Sequence, residues 1–371
     1  MIRKERLTQQ FLNFTKIDSP SFHERQMADY VKEVFAGLGI PLCEDDANVR
    51  FGSEAGNLYG RLEGELEGDP LLFLGHLDTV EPAKGRKAVL HPDGTITSAG
   101  DTVLGADDQS GLSEIIEAIR SIEEDGKPHR TLEFLISFAE EAFTKGSRYF
   151  DWNLLEAKQG YTLDLDAPIG TASLWEPTLI EFTIDITGRS AHAGFHPEQG
   201  INAIRIAADI LTELPLGRVD HETVLNVGII RGGTAKNAVP GTVHMEGELR
   251  SRCHDRALSL LESIRETAGE KAAALGGTAK VQYDIDLHEY RMDPDEPVVR
   301  RFVKAAERAG IQPVLSGSFG GSDNNQFAQH GGHGIVLASA MFDCHTVHEY
   351  TTVEDLFRAA QIVENLMTSE L

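Results

Sequence analysis

Short apolar runs alternate with amphipathic stretches along the first part of the chain. Residues 71–74 and 132–138 are largely apolar, which is typical of buried strands. Between them, the apolar residues of 112–122 recur at helical spacing and predict a helix. Strands that alternate with helices predict an α/β fold with a mainly parallel sheet, in which the loops that follow the strands carry the chemistry.

A further helix is predicted near the N-terminus, where apolar residues between Met27 and Leu38 follow helical spacing. Ser21 and Glu24 lie three positions apart just before this stretch, and their spacing fits a capping box. We therefore expect both side chains to bond the backbone at the first turn of the helix.

The middle of the chain follows a different pattern, in which apolar and polar residues alternate. This alternation predicts four strands with one polar face, at about 180–186, 224–230, 243–249 and 281–287. Two helical stretches separate them in the order β-α-β-β-α-β, which is the order of a ferredoxin-like unit. We therefore predict an inserted domain at 178–288, and a first domain formed by 1–177 and 289–371.

The composition and charge of the chain exclude several classes of binding partner. The chain has 34 Lys and Arg against 59 Asp and Glu, a formal net charge of −25, which argues against nucleic acid and against anionic membranes. No stretch approaches the ~20 apolar residues of a membrane span, and the N-terminal residues lack the apolar core of a signal peptide. The 3 scattered cysteines imply no disulfide framework, so a cytoplasmic location is expected.

Pairs of metal-ligand residues stand along the chain, most of them after predicted strands. They are His76 with Asp78, Asp107 with Asp108, Glu140 with Glu141, Asp164 with Asp166, and His345 with His348. Taken singly, each pair has an ordinary structural explanation, such as a turn, a helix cap or a solvated loop. Imidazole and carboxylate ligands suit zinc, and also cobalt or manganese. The number of ligand positions exceeds the needs of one tetrahedral ion and matches two ions that share a carboxylate.

Nine short motifs span nearly the whole chain. They are GHLDTV (75–80), GADDQSG (105–111), SFAEEAF (137–143), GYTLDLDAPIG (160–170), GRSAHAGFHPEQGINA (188–203), GGTAKNAVPG (232–241), GELRS (247–251), GGSDNN (320–325) and HTVHE (345–349). In this order the chain resembles the co-catalytic zinc peptidase family that includes peptidase T, aminoacylase and the glutamate carboxypeptidases. The resemblance is greatest to the peptidase T-like tripeptidase branch. It implies a metal-binding domain with an inserted ferredoxin-like lid domain.

The resemblance implies two divalent metal ions, with Zn²⁺ expected and Co²⁺ or Mn²⁺ as alternatives. One ion would bind His76, Asp107 and Asp164. The other would bind Asp107, Glu141 and His345. Asp107 would therefore bridge the two ions, with a water or hydroxide opposite it.

Two acidic residues would act beside the ligands by the same resemblance. Glu140 would be the general base, and Asp78 would bond the far nitrogen of His76 and so fix its tautomer. Asp166 competes with Asp164 as a ligand. Asp164 is preferred because its spacing to the following proline and glycine matches the tripeptidase-like branch.

The choice between His345 and His348 depends on local structure. The β-branched and aromatic residues around them predict a strand end and a loop, and the helix near Leu356 needs a cap near Thr352. In an extended segment, an offset of three places side chains on opposite faces, so only one histidine can reach the site. The His-Thr-x-x-Glu pattern of the family places the ligand at His345. Cys344 is the weaker candidate and is expected to pack in the interior.

Substrate-binding roles follow from the resemblance alone. His192 would stabilise the oxyanion, and Asn237 and Arg250 would hold a carbonyl or carboxylate of the substrate. The backbone at Gly321 and Ser322 would approach the substrate. In several relatives the lid forms a dimer in which the histidine reaches across, so a homodimer through the lid is a further expectation.

These features favour a metal-dependent hydrolase that cleaves amide bonds in short peptides, with aminopeptidase or tripeptidase activity as the leading interpretation. An N-acyl amino acid deacylase or a carboxypeptidase on the same scaffold is the alternative. A non-catalytic metal-binding protein is the alternative of a different class. The presence of Glu140 beside a complete ligand set argues against it, because such a protein has no need of a base.

Overall fold

The structure, a computed structural model, describes residues 1–370 of the chain. It divides into two compact units, one formed by Met1–Trp175 together with the chain from Tyr290 onward, the other by Glu176–Glu289. We call them unit 1 and unit 2. The sequence placed the two crossings after residues 177 and 288, and the structure has them after 175 and 289.

In chain order, the α-helices are α1 (Lys4–Phe14), α2 (Arg25–Gly37), α3 (Ala106–Asp125), α4 (Lys145–Arg148), α5 (Ala203–Leu211), α6 (His254–Ala274), α7 (Pro297–Arg308), α8 (Asp323–Gln329) and α9 (Val353–Met367). The strands are β1 (Cys43–Glu44), β2 (Leu58–Leu62), β3 (Leu66–His76), β4 (Ala88–Leu90), β5 (Thr95–Ser98), β6 (Arg130–Ser137), β7 (Gln159–Leu165), β8 (Thr171–Ser173), β9 (Trp175–Glu176), β10 (Thr178–Thr187), β11 (Gly217–Arg218), β12 (Thr223–Gly232), β13 (Thr242–Ser251), β14 (Thr278–Leu287), β15 (Tyr290–Arg291), β16 (Val314–Ser316), β17 (His333–Ala338) and β18 (Tyr350–Thr352). No helix in residues 1–370 has the length and apolar character needed to cross a membrane.

Unit 1 is built on an eight-stranded mixed sheet with the order β1-β2-β6-β3-β7-β17-β8-β16. Its centre, β6, β3, β7 and β17, is parallel, whereas β2 pairs with β6, and β8 with β17, in the antiparallel sense. The predicted α/β class is confirmed. Because parallel strands point the same way, their carboxyl ends share one edge of the sheet, and β3 ends there at His76.

Both faces of this sheet are covered, which explains the continuous apolar run at 71–74. Leu71 and Phe73 belong to one hydrophobic core, while Leu72 and Leu74 belong to another on the opposite face. Helix α3 packs against β3 and β7 within the first core. Gly111 permits the close approach, because a Cβ there would lie 2.7 Å from the backbone oxygen of Leu163.

The predicted capping box at Ser21 and Glu24 is wrong. Helix α2 begins at Arg25 without any side-chain cap. The hydroxyl of Ser21 instead donates to Asp78, and the buried carboxylate of Glu24 accepts from the backbone of Ala139. The chain before α2 therefore turns inward to the sheet edge. The cap expected at Thr352 is present, since its hydroxyl oxygen accepts the N–H of Asp355 at the start of α9.

Unit 2 contains a five-stranded sheet with the order β11-β12-β13-β10-β14, and the pairs within it are antiparallel. Helices α5 and α6 pack on the apolar face of β10 and β13, where the alternating residues Ile180, Phe182 and Ile184 are buried. The element order β10-α5-β12-β13-α6-β14 is the predicted one, with the short β11 added.

Candidate active site

His76, the last residue of β3, is 1% exposed and faces two carboxylates. Its Nε2 lies 3.0 Å from Asp107 Oδ1 and 3.9 Å from Asp164 Oδ1. Its Nδ1 lies 3.0 Å from the backbone oxygen of Asp78 and 3.4 Å from Asp78 Oδ1. Both groups near Nδ1 are acceptors, so Nδ1 carries a proton. Although burial lowers it, the pKa of His76 is raised well above its usual range by hydrogen bonds to Asp107 and Asp78, and a metal ion at Nε2 would take the place of the second proton.

Asp107 stands between the two histidines. Its Oδ1 faces His76, and its Oδ2 lies 3.2 Å from His345 Nε2. The same nitrogen of His345 lies 3.0 Å from Glu141 Oε2. Asp107 falls within the span of α3, yet its backbone is not helical, with φ −79° and ψ 106°. Each oxygen of one carboxylate therefore serves one imidazole, which is the arrangement expected of a bridging ligand.

The ligand atoms form two overlapping groups. Within each group all the atoms lie within 4.8 Å of one another, and the groups are His76 with Glu140 and Asp164, and His76 with Asp107 and Glu141. Oε1 of Glu141 is buried and has no hydrogen-bond partner. A buried oxygen of this kind needs a donor or a cation. The residues present thus fit metal ions that take mixed nitrogen and oxygen ligands.

The electrostatics of the site agree with that fit. Burial raises the pKa values of Glu140 and Asp164 well above the usual range, and raises the pKa of Glu141 to about 7. Hydrogen bonds with Asp107 and Glu141 raise the pKa of His345 to about 11. All four shifts express an excess of buried negative charge, which divalent cations would neutralise.

The loop that follows β6 is fixed by Asp78. Oδ1 of Asp78 accepts the N–H of Glu140 at 2.9 Å, and Oδ2 accepts the N–H of Glu141 at 3.2 Å. Ser21 donates its hydroxyl to the same Oδ2 at 2.6 Å. Asp78 therefore contacts His76 mainly through its backbone oxygen, while its carboxylate orients the pair of glutamates.

Two further buried carboxylates hold the backbone of the site, and the sequence interpretation assigned neither of them a role. Glu349 accepts the N–H groups of Gly105 and Asp107 at 2.7 and 3.0 Å. Asp108 accepts the N–H of His76 at 3.2 Å. Glu349 is the last residue of the HTVHE motif, and Asp108 is the neighbour of Asp107. The sequence motifs therefore included both residues but did not indicate what they do.

The three competing candidates lie outside the two ligand groups, and so does His345, which is distinguished by its contacts with Asp107 and Glu141. Asp166 is exposed, and its carboxylate accepts the backbone N–H of Cys344 at 3.3 Å. His348 is exposed, and its backbone N–H donates to the hydroxyl of Thr346 at 3.0 Å. Cys344 is half-buried against the core of unit 1. His345 lies in the loop between β17 and β18, as the residue pattern predicted.

Unit 2 brings two of the three predicted substrate-binding residues together. The backbone oxygen of Asn237 accepts the N–H of Ala193, next to His192, at 2.9 Å. Nδ1 of His192 accepts the N–H groups of Gly194 and Phe195, both at 3.2 Å. Because Nδ1 is an acceptor, the proton of the neutral ring belongs on Nε2, which is free to donate.

The remaining predicted residues have structural partners. Arg250, in β13, pairs with Glu248 at 3.0 Å. Ser322 is buried, and its hydroxyl caps α8 in a capping box with Asn325. Gly321 precedes that cap and is partly exposed. The backbone N–H of Ser322 also donates to Asn325, at 3.0 Å, so the predicted substrate contact at this residue stays a prediction.

Comparisons with known proteins decide the family. Residues 176–275 match the M20 model described as a peptidase dimerisation domain. The crystal structure of aminopeptidase PepT from Bacillus cereus ATCC 10987 is 36% identical with a TM-score of 0.91, covering 99% of this chain and 98% of that one. The chain belongs to the M20 peptidase family.

Two further relatives agree with this membership. A tripeptidase from Staphylococcus aureus is 32% identical with a TM-score of 0.95, covering 99% of this chain and 98% of that one. An uncharacterized protein of Bacillus subtilis is 36% identical over 363 residues, 98% of each chain. The predicted family and the enzyme class, a peptide hydrolase, are confirmed.

The contacts of the two histidines lead to a first prediction. We expect His345→Ala to lose one metal equivalent and nearly all activity, because it removes the nitrogen shared by Asp107 and Glu141. His348→Ala is the matched control and should keep both metal ions. Elemental analysis of the metal-saturated variants, together with their kcat, provides the measurement. The reverse result would exchange the roles of the two histidines.

Proposed function

We propose that the chain is an aminopeptidase that removes the first residue of short peptides, tripeptides included, with two divalent metal ions bound. The observation that carries this proposal is the position of Asp107, with one oxygen toward His76 and the other toward His345. A hydrolase with a single ion has no use for a carboxylate placed in this way. The names of the relatives, an aminopeptidase and a tripeptidase, support the substrate class.

The proposed ligand sets follow the contacts. His76, Asp107 and Asp164 would hold one ion. Asp107, Glu141 and His345 would hold the other. Zn²⁺ is the expected ion, with Co²⁺ or Mn²⁺ as alternatives, because the set combines imidazole with carboxylate. When bound, the ions polarise the scissile carbonyl and lower the pKa of water to about 7.

Glu140 is the proposed general base. Its backbone N–H is fixed by Asp78, and its side chain is buried among the proposed ligands. Burial raises the pKa of Glu140, so the carboxylate readily takes the proton of the attacking water. The same proton then passes to the nitrogen of the leaving amine, which restores Glu140 for the next turnover.

His192 and Arg250 are the proposed contacts to the substrate. The Nε2–H of His192 is available to donate to the oxygen that becomes negative in the tetrahedral intermediate. Arg250 offers a planar set of donors that suits the terminal carboxylate of a short peptide. Asn237, beside the His192 loop, would hold a substrate carbonyl.

The positions of these residues within unit 2 support a homodimer. Arg250 pairs with Leu179 at the start of β10, whereas His192 follows the end of that strand. At ~3.3 Å per residue, the eight steps from Thr242 to Arg250 along β13 span about 26 Å, more than a tripeptide of roughly 10 Å can bridge. One copy of unit 2 therefore cannot place both groups on one short substrate, which favours a His192 supplied by a partner subunit.

The general-base role is tested by Glu140→Gln. We expect kcat to fall by at least ~100-fold while both metal equivalents remain, because proton transfer of this kind contributes 10²–10⁴-fold. Glu141→Gln, the neighbouring substitution of the same size, should lose metal as well. If Glu140→Gln keeps most of its kcat, the base lies elsewhere. If it loses metal, Glu140 is a ligand in the group with His76 and Asp164.

Substrate class is tested with a tripeptide of three different residues, offered free, N-acetylated and C-terminally amidated to the metal-loaded protein. We expect mass spectrometry to detect release of the N-terminal residue from the free and amidated forms and none from the acetylated form. Release of the C-terminal residue would indicate a carboxypeptidase. Release of the acetyl group from the acetylated form alone would indicate a deacylase, and absence of any cleavage would indicate a metal-binding protein without catalysis.

The homodimer is tested by mixing two inactive variants, His192→Ala and Glu140→Gln. If the imidazole acts in the partner's site, a mixed dimer contains one site with both groups intact, and activity should return. Refolding the two variants together in equal amounts should restore up to about a quarter of the wild-type rate, since half of the dimers are mixed and each has one complete site. A mixed sample as inactive as its components, despite proven subunit exchange, would place His192 in its own subunit's site.

A further inference from the structure

Glu24 has contacts that neither helix capping nor the ligand sets account for. Its side chain is fully buried, with 0% exposure. Oε1 accepts the N–H of Phe22 at 2.6 Å and the N–H of Ala139 at 3.0 Å, and Oε2 accepts the hydroxyl of Ser53 at 3.1 Å. Three donors from separate segments of unit 1 therefore converge on one carboxylate.

The contact with Ala139 is the informative one, because Ala139 immediately precedes the glutamate pair. Its φ is +46°, in the left-handed region that residues other than glycine rarely adopt. The hydrogen bond from Ala139 to Glu24 fixes the backbone at this unfavourable position. The direction in which the chain enters Glu140 is thereby set.

Three consecutive backbone N–H groups of this loop donate to buried carboxylates. That of Ala139 donates to Glu24, and those of Glu140 and Glu141 donate to Asp78. Ser21 donates to Asp78 as well, so that the segment before α2 serves both acceptors. We propose that Glu24 is a positioning residue of the hydrolytic reaction, which sets the backbone of residues 139–141 and through it the placement of the Glu140 carboxylate.

Oε1 of Glu24 accepts the two backbone N–H groups, and Oε2 lies 3.1 Å from the hydroxyl of Ser53. Burial raises the pKa of Glu24 to about 7, with the nearby charge of Asp78 adding to the effect and the bonds from Phe22 and Ser53 opposing it. In Glu24→Gln the amide oxygen can still accept from Ala139 while the NH₂ group faces Ser53, whose hydroxyl also contacts the backbone oxygen of Ala55 at 3.1 Å. Glu24→Met has a side chain of similar length and no oxygen, so it removes the acceptor of the Ala139 N–H.

The inference rests on the proposed base, Glu140, and the experiment is chosen to separate the two. In Glu24→Met we expect kcat to fall by about 10- to 100-fold, because a small misplacement of a catalytic group can cost this much, while KM and the metal content stay within about twofold. Amide hydrogen exchange of the peptide that contains residues 138–145 should accelerate.

Glu117→Met is the matched control. Glu117 is also fully buried, and its carboxylate accepts from the backbone of Arg3 and the guanidinium of Arg6, far from the loop in sequence and contact. This substitution should lower thermal stability but leave kcat per folded molecule, and exchange of residues 138–145, unchanged. It therefore separates loss of a buried carboxylate in general from loss of this one.

Each outcome decides the proposal. An unchanged kcat in folded, metal-loaded Glu24→Met would overturn it, and so would a loss of kcat explained fully by loss of metal. If Glu24→Met does not fold, Glu24→Asp gives the same readout, because it keeps the carboxylate but withdraws it from Ala139 by one methylene. A wild-type protein inactive on every peptide would instead refute the proposed function itself.

Discussion

The concentration of buried negative charge at one sheet edge is the constraint on which unit 1 depends. The carboxylates of Asp107, Glu140, Glu141 and Asp164 lie there with no lysine or arginine among the charged groups that most affect them. Moving an ionised group out of water costs several kcal/mol unless a partner compensates it. The edge of a parallel sheet forces these loops together, so a cation becomes part of what makes the arrangement stable.

A second set of carboxylates holds the backbone in place around this buried charge. Asp78 and Glu349 each accept two backbone N–H groups from the segments that carry proposed ligands and the proposed base, and Asp108 accepts those of His76, at the end of β3, and Gly111, in α3. A bond to the backbone fixes the course of the chain, whereas a bond to a side chain leaves the backbone free to shift. The segments that meet at the site are thereby held in place by acidic side chains outside the proposed ligand sets.

The features of the fold and of the site that could be predicted from the sequence are those that depend on residues close together along the chain. Apolar runs and their end points predicted the strands and placed pairs of ligand-type residues after most of them, because periodicity and residue type are local information. The choice of His76, Asp107, Glu141, Asp164 and His345 among those pairs came from the family resemblance. The spacing of β-branched residues also placed His345 in a loop.

The sequence could not identify the role of Glu24, since a Ser-x-x-Glu pattern before an amphipathic stretch describes a cap equally well. What decides between the two is a hydrogen bond to Ala139, 115 positions away along the chain. The same limit applies to Ser322, whose hydroxyl proved to be a helix cap, and to the position of Arg250 at the far end of β13 from the His192 loop. Neither the pairing register of strands nor a hydrogen bond between distant residues can be predicted from the local periodicity of the sequence.

The proposed functional residues of the two units also differ in their exposure to water. The proposed ligands of unit 1 are mostly buried and bonded to one another, so their geometry exists before any substrate arrives. His192 and Asn237 in unit 2 are exposed, so in their proposed roles they would give up water to contact a peptide. That exchange belongs to the binding step and to the transition state, where charge develops on the substrate. In the proposed function, changes at Arg250 or Asn237 should therefore alter which peptides bind, whereas changes at His192 or in the carboxylates around Glu140 should alter how fast any peptide is cleaved.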